Sequence, residues 1–195
     1  MALAWLAVVK AGLIAVATMP LFRAKELGVV IDKAQPVAAL CEARLLPELQ
    51  AAAATRPCVQ YVLAFNQPEA PDSLEACARS QPDHFTACPT AADDIALLAF
   101  TSGTTGEPKV VVHSHRDVLA ACQAWPRHVL RATPDDVVAG SPPLAFTFGL
   151  GGLVLFPMSL GASAVLLEKA PPPQLLEAIT NEGATVLFTA PTTYR

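Results

Sequence analysis

The chain has 195 residues, of which 53% are hydrophobic and 15% charged, and its formal net charge is -4. That length can bury a real core, that composition excludes a disordered chain, and charges spread without a basic run exclude an electrostatic footprint for nucleic acid. Five cysteines (Cys41, Cys58, Cys77, Cys88 and Cys122) stand far apart with no C-x-x-C pair, so neither a disulfide framework nor a metal site is expected, and reduced thiols in the cytoplasm fit best.

Met1–Phe22 is apolar, yet it is not expected to be a signal peptide or a membrane anchor. No positive segment precedes it and Lys10 interrupts it. The remaining run, Ala11–Phe22, is shorter than the roughly 20 residues of a spanning helix. Gly12 instead divides the segment into a helix, Ala2–Val9, and a strand, Leu13–Ala17. The helix is apolar on all sides, which predicts full burial.

Arg23–Lys33 places Leu27, Val30 and Ile31 at helical spacing. Val37–Cys41 reads as a strand, Glu42–Ala54 as a helix with Pro47 near its start, and Val59–Phe65 as another strand. Asp72-Ser-Leu-Glu75 has the form of a capping box opening a short helix. Proline-spaced polar sequence from Ser80 to Asp94 then predicts a connection between two lobes, 1–90 and 91–195.

In the second lobe, apolar runs Leu97–Phe100 and Val110–Val112 predict two strands around the loop Thr101–Gly106. Ser114–Asp117 caps a helix over Val118–Val129, kinked or ended at Pro126. Asp136–Ser141 is a strand, Leu150–Leu160 a buried Gly-rich helix, and Ala164–Leu167 a strand. Pro171–Glu182 is a helix stopped by Gly183, and Thr185–Thr189 is the last strand. Strands alternating with helices predict an α/β fold of parallel-rich sheets flanked by helices.

The loop is where the chemistry concentrates. Hydroxyls on Thr101, Ser102, Thr104 and Thr105 can donate to anionic oxygens. Gly103 and Gly106 permit positive φ, so consecutive N–H groups can face one concavity, and Lys109 adds a movable cation. This is not a Walker A loop, which requires G-x-x-x-x-G-K-[ST] ahead of a helix, whereas Val110 follows Lys109 and a strand follows the loop. Without a ligand, the same residues would be a Gly/Thr hairpin turn.

Phe100-Thr-Ser-Gly-Thr-Thr-Gly-Glu-Pro-Lys109 resembles the signature of the adenylate-forming superfamily of acyl-CoA synthetases, peptide-synthetase adenylation domains and luciferases. The resemblance extends to Ala4–Gly12, Ala15–Pro20 and Phe188-Thr-Ala-Pro191. Ala17-Thr-Met-Pro-Leu21, His113-Ser-His-Arg-Asp117 and Pro142-Pro-Leu-Ala-Phe-Thr-Phe-Gly-Leu-Gly-Gly152 look most like benzoate and 2-aminobenzoate CoA ligases. Val110 departs from the glycine common after the lysine, and a β-branched residue suits a strand.

The resemblance implies an enzyme that joins a carboxylic acid to ATP, with Mg2+, and passes the acyl group to CoA. It assigns Thr101, Ser102, Gly103, Thr104, Thr105, Gly106 and Lys109 to the ATP phosphates. It assigns Phe146, Phe148, Gly149, Ala190, Pro191 and Thr192 to the acyl pocket. It places no catalytic lysine, Gly-x-Thr-Glu motif or ribose-binding aspartate in these residues, so the chain is expected to be the middle of a longer enzyme. Little turnover alone follows, unless complementing fragments of the same enzyme supply the rest. The alternative is a non-catalytic binding module that retains the fold. His113 and His115 lack ligand partners at metal spacing and more simply end a strand and begin a helix. Phe146, Phe148, Gly149 and Gly151 could equally be pocket wall or core packing.

Overall fold

A computed structural model describes residues 1–101 and 108–194. Helix α1 (Ala2–Lys10) leads into β1 (Ala15–Val16), then α2 (Ala24–Ala34), β2 (Ala38–Glu42), a 3-10 turn (Ala43–Leu45), α3 (Leu46–Ala53) and β3 (Tyr61–Phe65). After α4 (Leu74–Arg79), β4 (Ile95–Thr101) and β5 (Lys109–Ser114) pair as an antiparallel hairpin. The remainder runs α5 (His115–Trp125), β6 (Val137–Gly140), α6 (Thr147–Leu150), α7 (Phe156–Leu160), β7 (Ser163–Val165), α8 (Pro172–Glu182) and β8 (Val186–Phe188).

This is an α/β architecture with three sheets among the described residues, ordered β1-β4-β5, β2-β3 and β7-β6-β8. The hairpin is the antiparallel element; β1 with β4, β2 with β3, and β6 with both β7 and β8 are parallel. Parallel neighbours arise because a helix-sized crossover separates the paired strands, whereas the short connection from β4 to β5 permits only a reversal. Sheet β1-β4-β5 draws strands from both sides of residue 90.

The main core joins Trp5, Ala15, Leu97, Cys122, Leu150, Val154 and Leu155, so α1, α5 and the 147–160 segment pack on β1 and β4. A second cluster holds α2 and α3 together through Ile31, Leu49 and Ala52. Helix α1 corrects the expectation of full burial: Trp5 is its buried residue and Leu3 is 82% exposed. Hydropathy alone does not say which face a neighbour covers, and here one face meets the core.

Two further expectations are corrected. Ser73 caps α4 by accepting from the Ala76 amide, while the Glu75 carboxylate accepts from the Asn66 amide, 2.7 Å away, so no Asp72–Glu75 box forms. The helix expected over Leu150–Leu160 begins at Thr147 and is interrupted by a π turn, Gly151–Leu155. Gly151 and Gly152 ease that wider turn, and Pro157, which has no amide to donate, stands at the second position of α7 just after it.

Helix α5 starts as the sequence predicts. Ser114 accepts from the Asp117 amide, and the Asp117 carboxylate accepts from the Ser114 amide at 2.8 Å. Pro126 then ends α5 and opens a π turn, Pro126–Leu130. Ser114→Ala is expected to cost about 1 kcal/mol in urea unfolding. The Ser114 amide and then the Ser114 hydroxyl hold the Asp117 carboxyl below its ordinary value of 3.8. A depressed carboxyl stabilises the fold at neutral pH and loses that contribution as pH falls through 3.8 and below. Asp117→Asn should therefore lose less thermal stability than wild type between pH 5 and pH 3, and equal losses would contradict this account.

Close backbone approach also limits substitution. A Cβ on Gly140, at the end of β6, would fall 2.3 Å from the Phe188 carbonyl oxygen and 2.8 Å from Leu153 Cδ2. Gly140→Ala should destabilise by about 1–3 kcal/mol, read by urea unfolding.

Candidate functional site

The antiparallel register pairs Thr101 with Lys109 and Phe100 with Val110. Apolar β-branched residues on β5 and Leu97–Phe100 on β4 favour this pairing, so the two ends of the loop are brought side by side. Of the residues expected to bind phosphate, Thr101 and Lys109 lie at this stem and both are exposed. Ser102, Gly103, Thr104, Thr105 and Gly106 lie outside the described residues.

Beside the stem is a cavity of about 240 Å³ lined by Ala99, Phe100, Thr101, Ala145, Phe146 and Thr147. The 141–147 stretch thus faces the end of β4, and Phe146 shares a wall with Thr101. A smaller cavity of about 100 Å³ lies on the other side of Thr147. Leu97, Val118, Leu150, Leu155 and Phe156 make it apolar, and His113 and Asp117 are among its lining residues.

Gly149 is needed for the loop before it: a Cβ there would sit 2.2 Å from the Pro143 carbonyl oxygen. That contact lets 142–146 fold back against the start of α6, where the Phe146 amide donates to Pro143 O and the Leu150 amide to Phe146 O. Phe148 meets Phe188 edge-on, with centroids 5.9 Å apart and planes at 74°. Trp125 contacts both Phe156 and Phe188. Phe146 and Phe148 are 45% and 53% exposed, so neither is sealed in the core.

Ala190, Pro191 and Thr192 follow β8, at the C-terminal end of a parallel sheet where ligands of open α/β folds bind. They line neither of these two cavities. Their connection to the site runs through Phe188 and through a hydroxyl pair, Ser141 Oγ and Thr189 Oγ1, 2.6 Å apart. That pair ties the ends of β6 and β8, the two strands from which the expected pocket segments depart.

Sequence reasoning missed Thr147, which lines both cavities from the first turn of α6, and it assigned no role to Asp117 beyond capping. Thr147 carries no local signal, because only the fold-back of 142–146 brings it under β4. Among the described residues, no group of three or more His, Cys, Asp or Glu could hold a metal ion. All five cysteines are free, and burial pushes the Cys41 and Cys122 thiols up, away from the reactive thiolate. No helix among the described residues is long and apolar enough to cross a membrane.

Comparison with known proteins agrees with the signature. The chain is 29% identical over 192 residues to a benzoate–CoA ligase of Thauera aromatica, covering 97% of this chain and 36% of that protein. It superposes on the crystal structure of the anthranilate CoA ligase AuaEII in complex with anthranoyl-AMP with a TM-score of 0.90 at 29% identity, covering 98% of this chain and 38% of that one. ATP-bound MatB from Rhodopseudomonas palustris gives a TM-score of 0.84 at 29% identity, with 99% and 37% covered. The chain therefore spans little more than a third of the length of these relatives. The family model for AMP-binding enzymes matches residues 1–195, and the chain belongs to that family.

Proposed function

We propose that these residues form the phosphate-binding and acyl-binding part of an AMP-forming carboxylate–CoA ligase acting on an aryl acid such as benzoate or 2-aminobenzoate. The observation that carries this reading is the register of Thr101 against Lys109, set directly above a cavity walled by Phe100 and Phe146. A polyanion at the stem and a flat ring in the cavity would lie within one molecule's reach. The likeness to benzoate and anthranilate CoA ligases supports the same substrate class.

In the adenylation step a carboxylate oxygen bonds to the α-phosphorus of ATP while the bond to the bridging oxygen breaks and pyrophosphate leaves. Lys109 would offset the charge gathering on the phosphates, together with donors from Thr101 and from Ser102, Gly103, Thr104, Thr105 and Gly106. Donors aimed at developing charge are the largest single contribution in many phosphoryl and acyl transfers. Phe146 and Phe148 would offer aromatic faces to the acid, Gly149 lets the 142–146 loop fold back beside it, and Ala190, Pro191 and Thr192, which line neither cavity, would border the acid from the end of β8. The CoA thiol would then bond to the acyl carbon as that carbon's bond to the AMP oxygen breaks, giving the thioester, releasing AMP and passing the thiol proton to solvent. Mg2+ would arrive with the nucleotide; no described cluster fits it, so no step is assigned to residues holding the metal.

Isothermal titration of the 195-residue chain with ATP should show binding that Lys109→Ala weakens about tenfold or more. Wild-type chain with no affinity, or a variant that binds equally well, would overturn the assignment of the stem. The resemblance assigns no catalytic lysine within these residues. Sustained pyrophosphate release from the chain with ATP, Mg2+ and benzoate or 2-aminobenzoate is therefore not expected, and steady release would show that the chemistry is encoded here.

A further inference from the structure

The ammonium of Lys33, in the last turn of α2, donates to the carbonyl oxygen of Pro108 at 2.7 Å. The two residues are 75 positions apart, and Pro108 immediately precedes Lys109, the first residue of β5. We propose that Lys33 is a positioning residue that fixes the start of β5 and so aims Lys109 at the nucleotide. The inference rests on the reading of Lys109 as a phosphate ligand.

The end of α2 is built to present this side chain. The neighbouring Asp32 takes a two-pronged contact from Arg56, with Nε and Nη2 each 2.8 Å from a carboxylate oxygen. Arg56 Nη1 in turn donates to Ala52 O on α3. A Cβ on Gly28 would meet that guanidinium at 2.7 Å, so glycine lets Arg56 lie flat across α2. Ile31 packs with Leu49 and Ala52 on the inner face. The helix closes with Gln35 in the left-handed region (φ 48), its side-chain amide donating to Asp32 O at 3.0 Å. Each of these contacts restrains the backbone on either side of Lys33.

Proline has no N–H, so the backbone at Pro108 offers the sheet one acceptor and no donor. A charged donor on that acceptor restrains the peptide joining Pro108 to Lys109. Charge-assisted hydrogen bonds of this length are about twice as strong as neutral ones, although an exposed one is weakened by water. Lys33 thus couples the α2–α3 unit to the loop stem across the fold.

The test compares wild type with Lys33→Met, which keeps the aliphatic stem and removes the donor, and Lys33→Arg, which restores one. Two measurements are made on the full chain. Amide hydrogen exchange over residues 109–112 should rise about tenfold in Lys33→Met, return toward wild type in Lys33→Arg, and remain unchanged over α2. Modification of lysines by an amine reagent, read residue by residue, should show ATP protecting Lys109. In Lys33→Met that protection should need about tenfold more ATP, with Lys169 as the indifferent control. Unchanged exchange over 109–112 overturns the proposal. Faster exchange with unchanged ATP dependence also overturns it, leaving Lys33 as a brace of the fold. If ATP fails to protect Lys109 in wild type, the phosphate reading fails, and exchange alone then decides whether Lys33 anchors the strand.

Discussion

Strand β4 is hydrogen-bonded on both sides, to β1 in parallel and to β5 in antiparallel register, and this double pairing holds Thr101 in place. Its Ala96 and Leu97 are nearly sealed from water, and Leu97 joins Trp5, Leu150 and Val154 in the main core. Burial on that scale fixes the register, because a slip by one residue would move Leu97 to the opposite face of the sheet, out of that core. Lys109 inherits its position from the same register. Placement of the cation at the loop is thus driven by apolar packing several residues away.

Charge has a different job in this chain. Its ion pairs and carboxylate caps sit at element ends rather than in the core. Asp136 accepts from the Thr133 amide and from the Thr185 hydroxyl, which links the entries of β6 and β8 and holds the carboxyl below its ordinary value. Arg116 grips Asp93 just before β4, and the Asp94 carbonyl accepts from the His115 amide. These exposed contacts add little individually to stability, but they set where strands begin. A strand that begins one residue late would present the wrong face to its cavity.

Much of the fold was legible because local signals and tertiary demands agree. Ser114 and Asp117 announce the start of α5, Gly183 in the left-handed region (φ 66) ends α8, and the β-branched run Val110–Val112 marks β5. Where local signals were silent, reasoning from them failed. Nothing in Ala2–Lys10 says that Leu3 faces out, because that depends on which neighbours exist to cover it. The π turn at Gly151–Leu155 lies against Phe156 and Phe188, a long-range setting that the sequence pattern does not announce. For the candidate site, the glycine- and hydroxyl-rich motif was plain, whereas Thr147 and Lys33 reach it only through long-range folding. Gly149 was singled out in the sequence as pocket wall or core, but nothing local showed that its neighbour would be the Pro143 carbonyl.

Phe188 stands at the junction of two duties. Its ring abuts Gly152 and packs with Val138 and Leu153 inside the sheet, and it also supports Phe148 and Trp125 on the cavity side. Truncating Phe188 would open a gap at that junction, since the same atoms keep β6 and β8 together. Phe146 and Phe148, both half-exposed, are freer to vary without disturbing the sheet. The fold thereby separates a rim that tolerates change from a floor that packing constrains, even though both are aromatic and Phe148 touches Phe188 edge-on.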